Sequence, residues 1–198
     1  MRNALWRAAC ALAAACGLAF GLWAGAGIAR AQGPDALALM REGGNVLLVR
    51  HAATEPGVGD PPAFRLGECG TQRNLSAAGR VEARRLGEAL RAHGIRLDQA
   101  RSSRWCRCLD TARLAFAPHL PVTEWAPLDS FFGDRSAGPA QTRAALAALG
   151  DLPADGNWVW VTHQVNISSL AGTPVAMGEV LVARPEAGRL RVLARWRP

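Results

Sequence analysis

The chain has 198 residues with 23 basic and 16 acidic side chains, and every basic one is an arginine. Three of those arginines fall in the first 31 residues, so residues 32–198 carry 20 against 16, a net charge of +4. The excess is scattered along the chain without an aromatic ladder. That argues against a nucleic-acid binder and favours a protein that handles an anionic small molecule.

Residues 1–31 read as a secretory signal peptide. Arg2 and Arg7 lead into an apolar run from about Ala8 to Ile28 without an acidic residue, and Ala29-Arg30-Ala31 offers small residues at a cleavage point before Gln32. The competing readings are an uncleaved anchor, since the run nears the ~20 residues that span a bilayer, and a lipoprotein modified at Cys16. The glycines within the run and the cleavage pattern favour removal. The remaining 167 residues, 32–198, suit one domain with one core.

Asp35 to Arg41 predicts a short helix ended by Gly43-Gly44, and Asn45 to Val49 a strand buried on both faces. Pro and Gly dominate Glu55 to Thr71, which is expected to be a loop. Ser76 reads as an N-cap for a helix reaching His93-Gly94, with Val81, Ala83, Leu86, Ala89 and Leu90 as its apolar stripe. A strand over Leu97 to Ser102, a helix over Cys106 to Phe116 stopped before Pro118, and a helix over Ala140 to Leu149 follow. Trp158 to Val161 reads as a second buried strand, with a short helix to Leu170 behind it. Glu179 to Ala183 and Leu190 to Trp196 form a hairpin across Pro185-Glu186-Ala187-Gly188.

Alternating strands and helices imply a three-layer α/β/α sandwich about a mostly parallel sheet, whose crevice lies at the carboxyl ends of the strands. Three strands deliver polar residues to that edge: Arg50-His51, Arg101-Ser102-Ser103 and Thr162-His163. A guanidinium at the end of an apolar strand needs an anionic partner, and the turn from Ser102 into the helix at Cys106 offers amides suited to phosphate.

Cys69, Cys106 and Cys108 are the cysteines beyond the leader. In an oxidising compartment one bridge with one thiol left over is expected. Cys106 and Cys108 are poor partners within a helix start, which leaves Cys69 with either of them. A zinc site is the alternative, without a histidine in ligand spacing to support it.

These residues resemble the histidine phosphatase superfamily, also called phosphoglycerate mutase-like. Its Arg-His-Gly signature appears as Arg50-His51-Ala52 with Thr54. Its Ser-Ser segment with Arg and Thr-Ala runs from Ser102-Ser103 through Arg107 to Thr111-Ala112, and its second histidine appears as His163. Asn74-Leu75-Ser76-x-x-Gly79 is similar to its helix start. The resemblance spans about Asn45 to Ala183. It implies a phosphomonoesterase in which His51 takes the phosphoryl group as a phosphohistidine, with Arg50, Arg107, His163 and Thr54 around the phosphate and no cofactor or metal. The family arginine aligns with Arg107 rather than Arg104.

Two departures stand out. The signature glycine is Ala52, and the family's acidic residue after the middle helix, which protonates the leaving oxygen, lacks a clear counterpart. Asp129 is the favoured acid, with Asp134 and Glu55 in reserve. Short length argues against the mutases and against the phytases. Among exported members, a phosphatase of lipopolysaccharide heptose phosphate (the Ais type) is similar in size, and small phosphohistidine phosphatases are similar in length but cytoplasmic. A periplasmic or secreted phosphatase acting on a small phosphorylated substrate is therefore expected, free of nucleic acid and of a membrane anchor after leader removal. A phosphate-binding member without activity is the alternative.

Overall fold

A computed structural model describes residues 35–198, so the expected leader lies outside the described residues. The chain runs α1 (Ala36–Glu42), β1 (Asn45–Arg50), α2 (Ala77–Ala92), β2 (Gln99–Ser102), α3 (Cys106–Phe116), β3 (Val122–Glu124), α4 (Gly138–Ala147), β4 (Asn157–Thr162), α5 (Gln164–Ala171), β5 (Val180–Glu186) and β6 (Arg189–Trp196).

The six strands form one sheet in the order β3-β2-β4-β1-β5-β6. β3, β2, β4 and β1 are parallel to their neighbours, while β5 pairs antiparallel with β1, and β6 antiparallel with β5. Strand residues alternate between two cores. Leu47 and Val49 of β1 join Met40, Leu86, Leu90, Ala112 and Phe116, which places α1, α2 and α3 on one face. Val46 and Leu48 join Ala145, Trp160, Ile167 and Leu170, which places α4 and α5 on the other. The α/β/α sandwich is thus the observed architecture.

Local chemistry sets the element ends. The Asp35 side chain accepts from Leu37 N and starts α1, Ser76 Oγ accepts from Gly79 N at 3.1 Å, and Gly172 ends α5 in the left-handed conformation. Gly79 is required by space: a Cβ there would sit 1.9 Å from the Ala53 carbonyl oxygen. That close approach docks the start of α2 against the residues that follow β1.

Three expectations need correction. Val81 lies outside the apolar stripe and is 45% exposed; Gly79, Ala83, Leu86, Gly87 and Leu90 form the buried face. β3 has no counterpart in the sequence reading, because three residues with only Val122 half-buried carry no period. The hairpin turn is tighter than four residues: β5 and β6 run to Glu186 and Arg189, and Ala187 (φ 48°) and Gly188 (φ 75°) make a two-residue turn.

Candidate active site

Register brings the three polar segments together. In the parallel pair β1–β4, Arg50 lies opposite Thr162, and in β2–β4, Ser102 lies opposite Val161. His51, His163 and Ser103 therefore leave the sheet at one level. Backbone bonds continue past the strand ends, from His51 N to Thr162 O at 3.0 Å and from Ser103 N to Val161 O at 3.0 Å. The imidazoles stand one residue past the ends of β1 and β4, with ring centroids 5.5 Å apart in an edge-on arrangement.

His51 is 2% exposed. Its Nδ1 lies 2.9 Å from Ala52 O. A carbonyl only accepts, so Nδ1 carries the proton and Nε2 keeps a free lone pair. Burial lowers the imidazole to about 3; the Ala52 bond opposes this, while Arg107, Arg50 and Arg73 lower it further. His51 is a neutral imidazole near neutral pH.

Ala52, in place of the signature glycine, is accommodated. Among the described residues the one non-glycine at positive φ is Ala187, so Ala52 needs no left-handed backbone. Its amide donates to Thr111 Oγ1 at 3.0 Å, and its side chain packs with Leu75 and Ala83.

Three guanidiniums surround the histidines. Arg50 donates to Val175 O at 2.9 Å and Gln164 Oε1 at 3.3 Å. Arg107, on the first turn of α3, is 3% exposed and places NH2 3.4 Å from His163 Nδ1. Arg73 stands beside them and is lowered by burial and by Arg107, partly offset by Asp60. The Nε atoms of Arg50, Arg73 and Arg107 are buried and find no acceptor among the described residues. Buried donors are normally satisfied, so three idle ones on guanidiniums beside two imidazoles leave donor capacity unused.

Arg73 and Asp60 went unread in the sequence. Asp60, from the Pro/Gly-rich loop, accepts from Arg107 NH1 at 2.7 Å, Arg73 N at 3.0 Å and Trp105 Nε1 at 3.0 Å. Arg73 directly precedes the Asn74-Leu75-Ser76 segment and could have been read with it. Asp60 sits in a loop without periodicity and left no signal.

The remaining expected residues divide clearly. Thr54 makes no hydrogen bond to the cluster among the described residues; its hydroxyl donates to Met177 Sδ at 3.8 Å. Asp134 is exposed and accepts from Ser136 N at 3.0 Å, and Glu55 is exposed. Asp129 is 4% exposed. It accepts from Ser103 Oγ at 3.3 Å and Arg104 N at 2.8 Å on Oδ1, and from Arg104 Nε at 2.7 Å and NH2 at 2.5 Å on Oδ2. Four donors fill the lone-pair sites of one carboxylate, so Asp129 is better placed to hold charge than to deliver a proton.

Three of the amides at the turn into α3 are also taken, contrary to expectation. Arg104 N bonds Asp129, Trp105 N bonds Ser103 Oγ and Cys106 N bonds Gln72 Oε1. Cys69 and Cys106 are joined and Cys108 is a buried free thiol, which settles the pairing and removes two of the three ligands of the zinc alternative.

Comparison with known proteins agrees with this geometry. Residues 46–142 match the model of the histidine phosphatase superfamily (branch 1). No protein of curated function matches the chain by sequence. Among solved structures, an α-ribazole phosphatase from Shigella flexneri is 20% identical with a TM-score of 0.53, covering 75% of this chain and 95% of its own. A mycobacterial glucosyl-3-phosphoglycerate phosphatase complexed with VO3 is 18% identical with a TM-score of 0.54, covering 77% and 98%. A phosphoserine phosphatase from Entamoeba histolytica in complex with 3-phosphoglyceric acid is 15% identical with a TM-score of 0.56, covering 78% and 97%. The paired histidines at one sheet edge and the matched segment lead to the same place: the chain belongs to branch 1 of the histidine phosphatase superfamily.

Proposed function

We propose that the protein is a metal-independent phosphomonoesterase that works through a phosphohistidine at His51. The observation that carries this reading is the neutral His51, with its bare Nε2, ringed by the unsatisfied Nε donors of Arg50, Arg73 and Arg107. A neutral imidazole nitrogen attacks phosphorus, and fixed cations stabilise the charge that spreads over the equatorial oxygens. The P–O bond to the leaving group breaks as the N–P bond forms, and the leaving oxygen takes its proton from solvent water. A second water then attacks phosphorus, breaking the N–P bond and releasing phosphate with the lone pair returned to His51 Nε2. Arg50, Arg107 and His163 hold the phosphoryl group, and Arg73 adds charge.

The substrate class in this proposal is a small phosphomonoester, with a lipopolysaccharide sugar phosphate as the specific candidate and export after cleavage at Ala31 as its setting. The export pattern of residues 1–31 and the small size of the domain support that choice.

Turnover of nitrophenyl phosphate in EDTA tests the reaction. The expected result is chelator-resistant hydrolysis that His51→Ala lowers on the order of 10³-fold or more, with a phosphoenzyme that survives alkaline quenching and is lost in acid. Phosphate binding without turnover would instead identify a non-catalytic member. A screen over sugar, heptose and nucleotide monophosphates separates the substrate candidates.

A further inference from the structure

A line of polar contacts runs from the phosphate cluster to the rear of the site. His163 Nδ1 lies 3.4 Å from Arg107 NH2. A guanidinium only donates, so Nδ1 is bare and Nε2 carries the proton. Nε2 lies 2.9 Å from Ser103 Oγ and donates to it, which leaves the Ser103 hydroxyl to donate to Asp129 Oδ1 at 3.3 Å. Arg104 closes the line from the solvent side at 46% exposure.

The electrostatic surroundings of His163 are asymmetric. Burial lowers its proton affinity well below the ordinary value, and Arg107, His51, Arg50 and Arg73 lower it further. Cys108 Sγ lies 3.4 Å from Nε2, but burial pushes that thiol up to about 12, so it stays neutral. Asp60 faces Arg107 on the far side. The carboxylate reaching His163 through a hydroxyl is Asp129.

A phosphate dianion offers only acceptors, and Nδ1 in the free protein is a lone pair facing Arg107 NH2 at 3.4 Å, so phosphate competes for that guanidinium and leaves Nδ1 without a donor. Phosphate and Nδ1 cannot bond until a proton is added. We propose that Asp129 is a positioning residue that acts through Ser103 so that His163 takes up a proton when phosphate binds. The inference rests on the phosphatase reading above. The bond formed is N–H at Nδ1, the proton comes from solvent or from a phosphate monoanion, and no electrons are transferred. The imidazolium then donates to phosphate from Nδ1 and to Ser103 from Nε2, with the Asp129 charge at the end of the line.

Calorimetry of inorganic phosphate binding tests the coupling, with proton uptake obtained from buffers of different ionisation enthalpy. At pH 8 phosphate is largely a dianion, so uptake by the complex reports the protein. The wild type is expected to take up a proton. Asp129→Asn and Ser103→Ala should move the midpoint of uptake down by about one pH unit, which means roughly tenfold weaker phosphate binding at pH 8. Arg104→Gln should move it up, because it removes the cation that offsets Asp129. Arg104 is half-exposed and its replacement is not expected to disturb folding, and a merely structural defect has no reason to give opposite signs. A phosphate-binding wild type with no uptake, or midpoints that stay put or all move one way, overturns this inference alone. A wild type that binds no phosphate overturns the phosphatase reading as well, and the nitrophenyl phosphate assay with His51→Ala scores that reading separately.

Discussion

The turn into α3 carries two Arg–Asp pairs three residues apart, and they differ in one respect. Arg107 and Asp60 form a pair with side chains 4% and 9% exposed, while Arg104 and Asp129 form one in which the arginine is 46% exposed. The first pair lies at the front, where the loop after β1 folds over the phosphate cluster. The second lies at the rear, under the 3-10 helix Ala126–Leu128. A buried pair depends on both partners, since losing one leaves a desolvated charge; a pair open to water has solvent to replace either. The front wall should therefore be brittle and the rear wall forgiving, although both hold carboxylates.

Breaking the front pair gives the largest expected effect. Asp60→Ala strands the Arg107 guanidinium and should cost about 3–5 kcal/mol of stability, measured by urea unfolding. Weaker phosphate binding should accompany it. The pH dependence has a defined sign. Burial raises the Asp60 carboxyl, but the Arg107 bond and charge, the Arg73 amide and Trp105 outweigh it, so its net shift is downward. Its contribution is full above the unfolded value near 4 and is lost as pH falls through the folded one. Wild type should lose stability below about pH 4 more steeply than Asp60→Ala. Parallel curves would show that this pair adds nothing at the front wall.

The disulfide sharpens the same contrast, because Cys69–Cys106 ties the front loop to the residue beside Arg107. With the cysteines 37 positions apart, chain entropy puts the bridge at no more than about 4 kcal/mol, and about 2–4 kcal/mol is the expected loss in a Cys69→Ser, Cys106→Ser double variant. Activity should fall with stability, since the residue beside Arg107 loses its covalent tie to the loop and Arg107 is left with its bond to Asp60. Unchanged kinetics after reduction would assign the bridge to stability only.

The same contrast explains what was legible in the sequence. Apolar runs announce β1 and β4, and the parallel register then fixes where their ends meet, so Arg50, His51 and His163 could be placed from residues alone. The bounds of α3, Cys106–Phe116, followed from the turn before it and Pro118 after it. Asp60 could not be found this way. Its partner Arg107 is 47 residues away, and the loop between Glu55 and Thr71 has neither period nor repeated spacing. The bridge was legible as a set and not as a pair, because choosing Cys106 over Cys108 requires knowing which side of α3 faces the loop. Cys108 turns inward, 3.4 Å from His163 Nε2. Asp129 was found by its place after Leu128, but its four donors appear only when Ser103 and Arg104 arrive from another strand.

The smallest expected effect is at the rear wall. Arg104→Ala removes two of the four donors on Asp129 but leaves Ser103 Oγ and the Arg104 amide in place. The departing side chain is 46% exposed, so water enters where the guanidinium stood and solvates Oδ2. The lost attraction is that of a partly screened ion pair, and the stability cost should stay within about 1 kcal/mol. Urea unfolding of Arg104→Ala beside Asp60→Ala measures the contrast directly. A loss at the rear as large as that at the front would mean that burial of the carboxylate alone, and not of both partners, sets the cost of opening an Arg–Asp pair in this site.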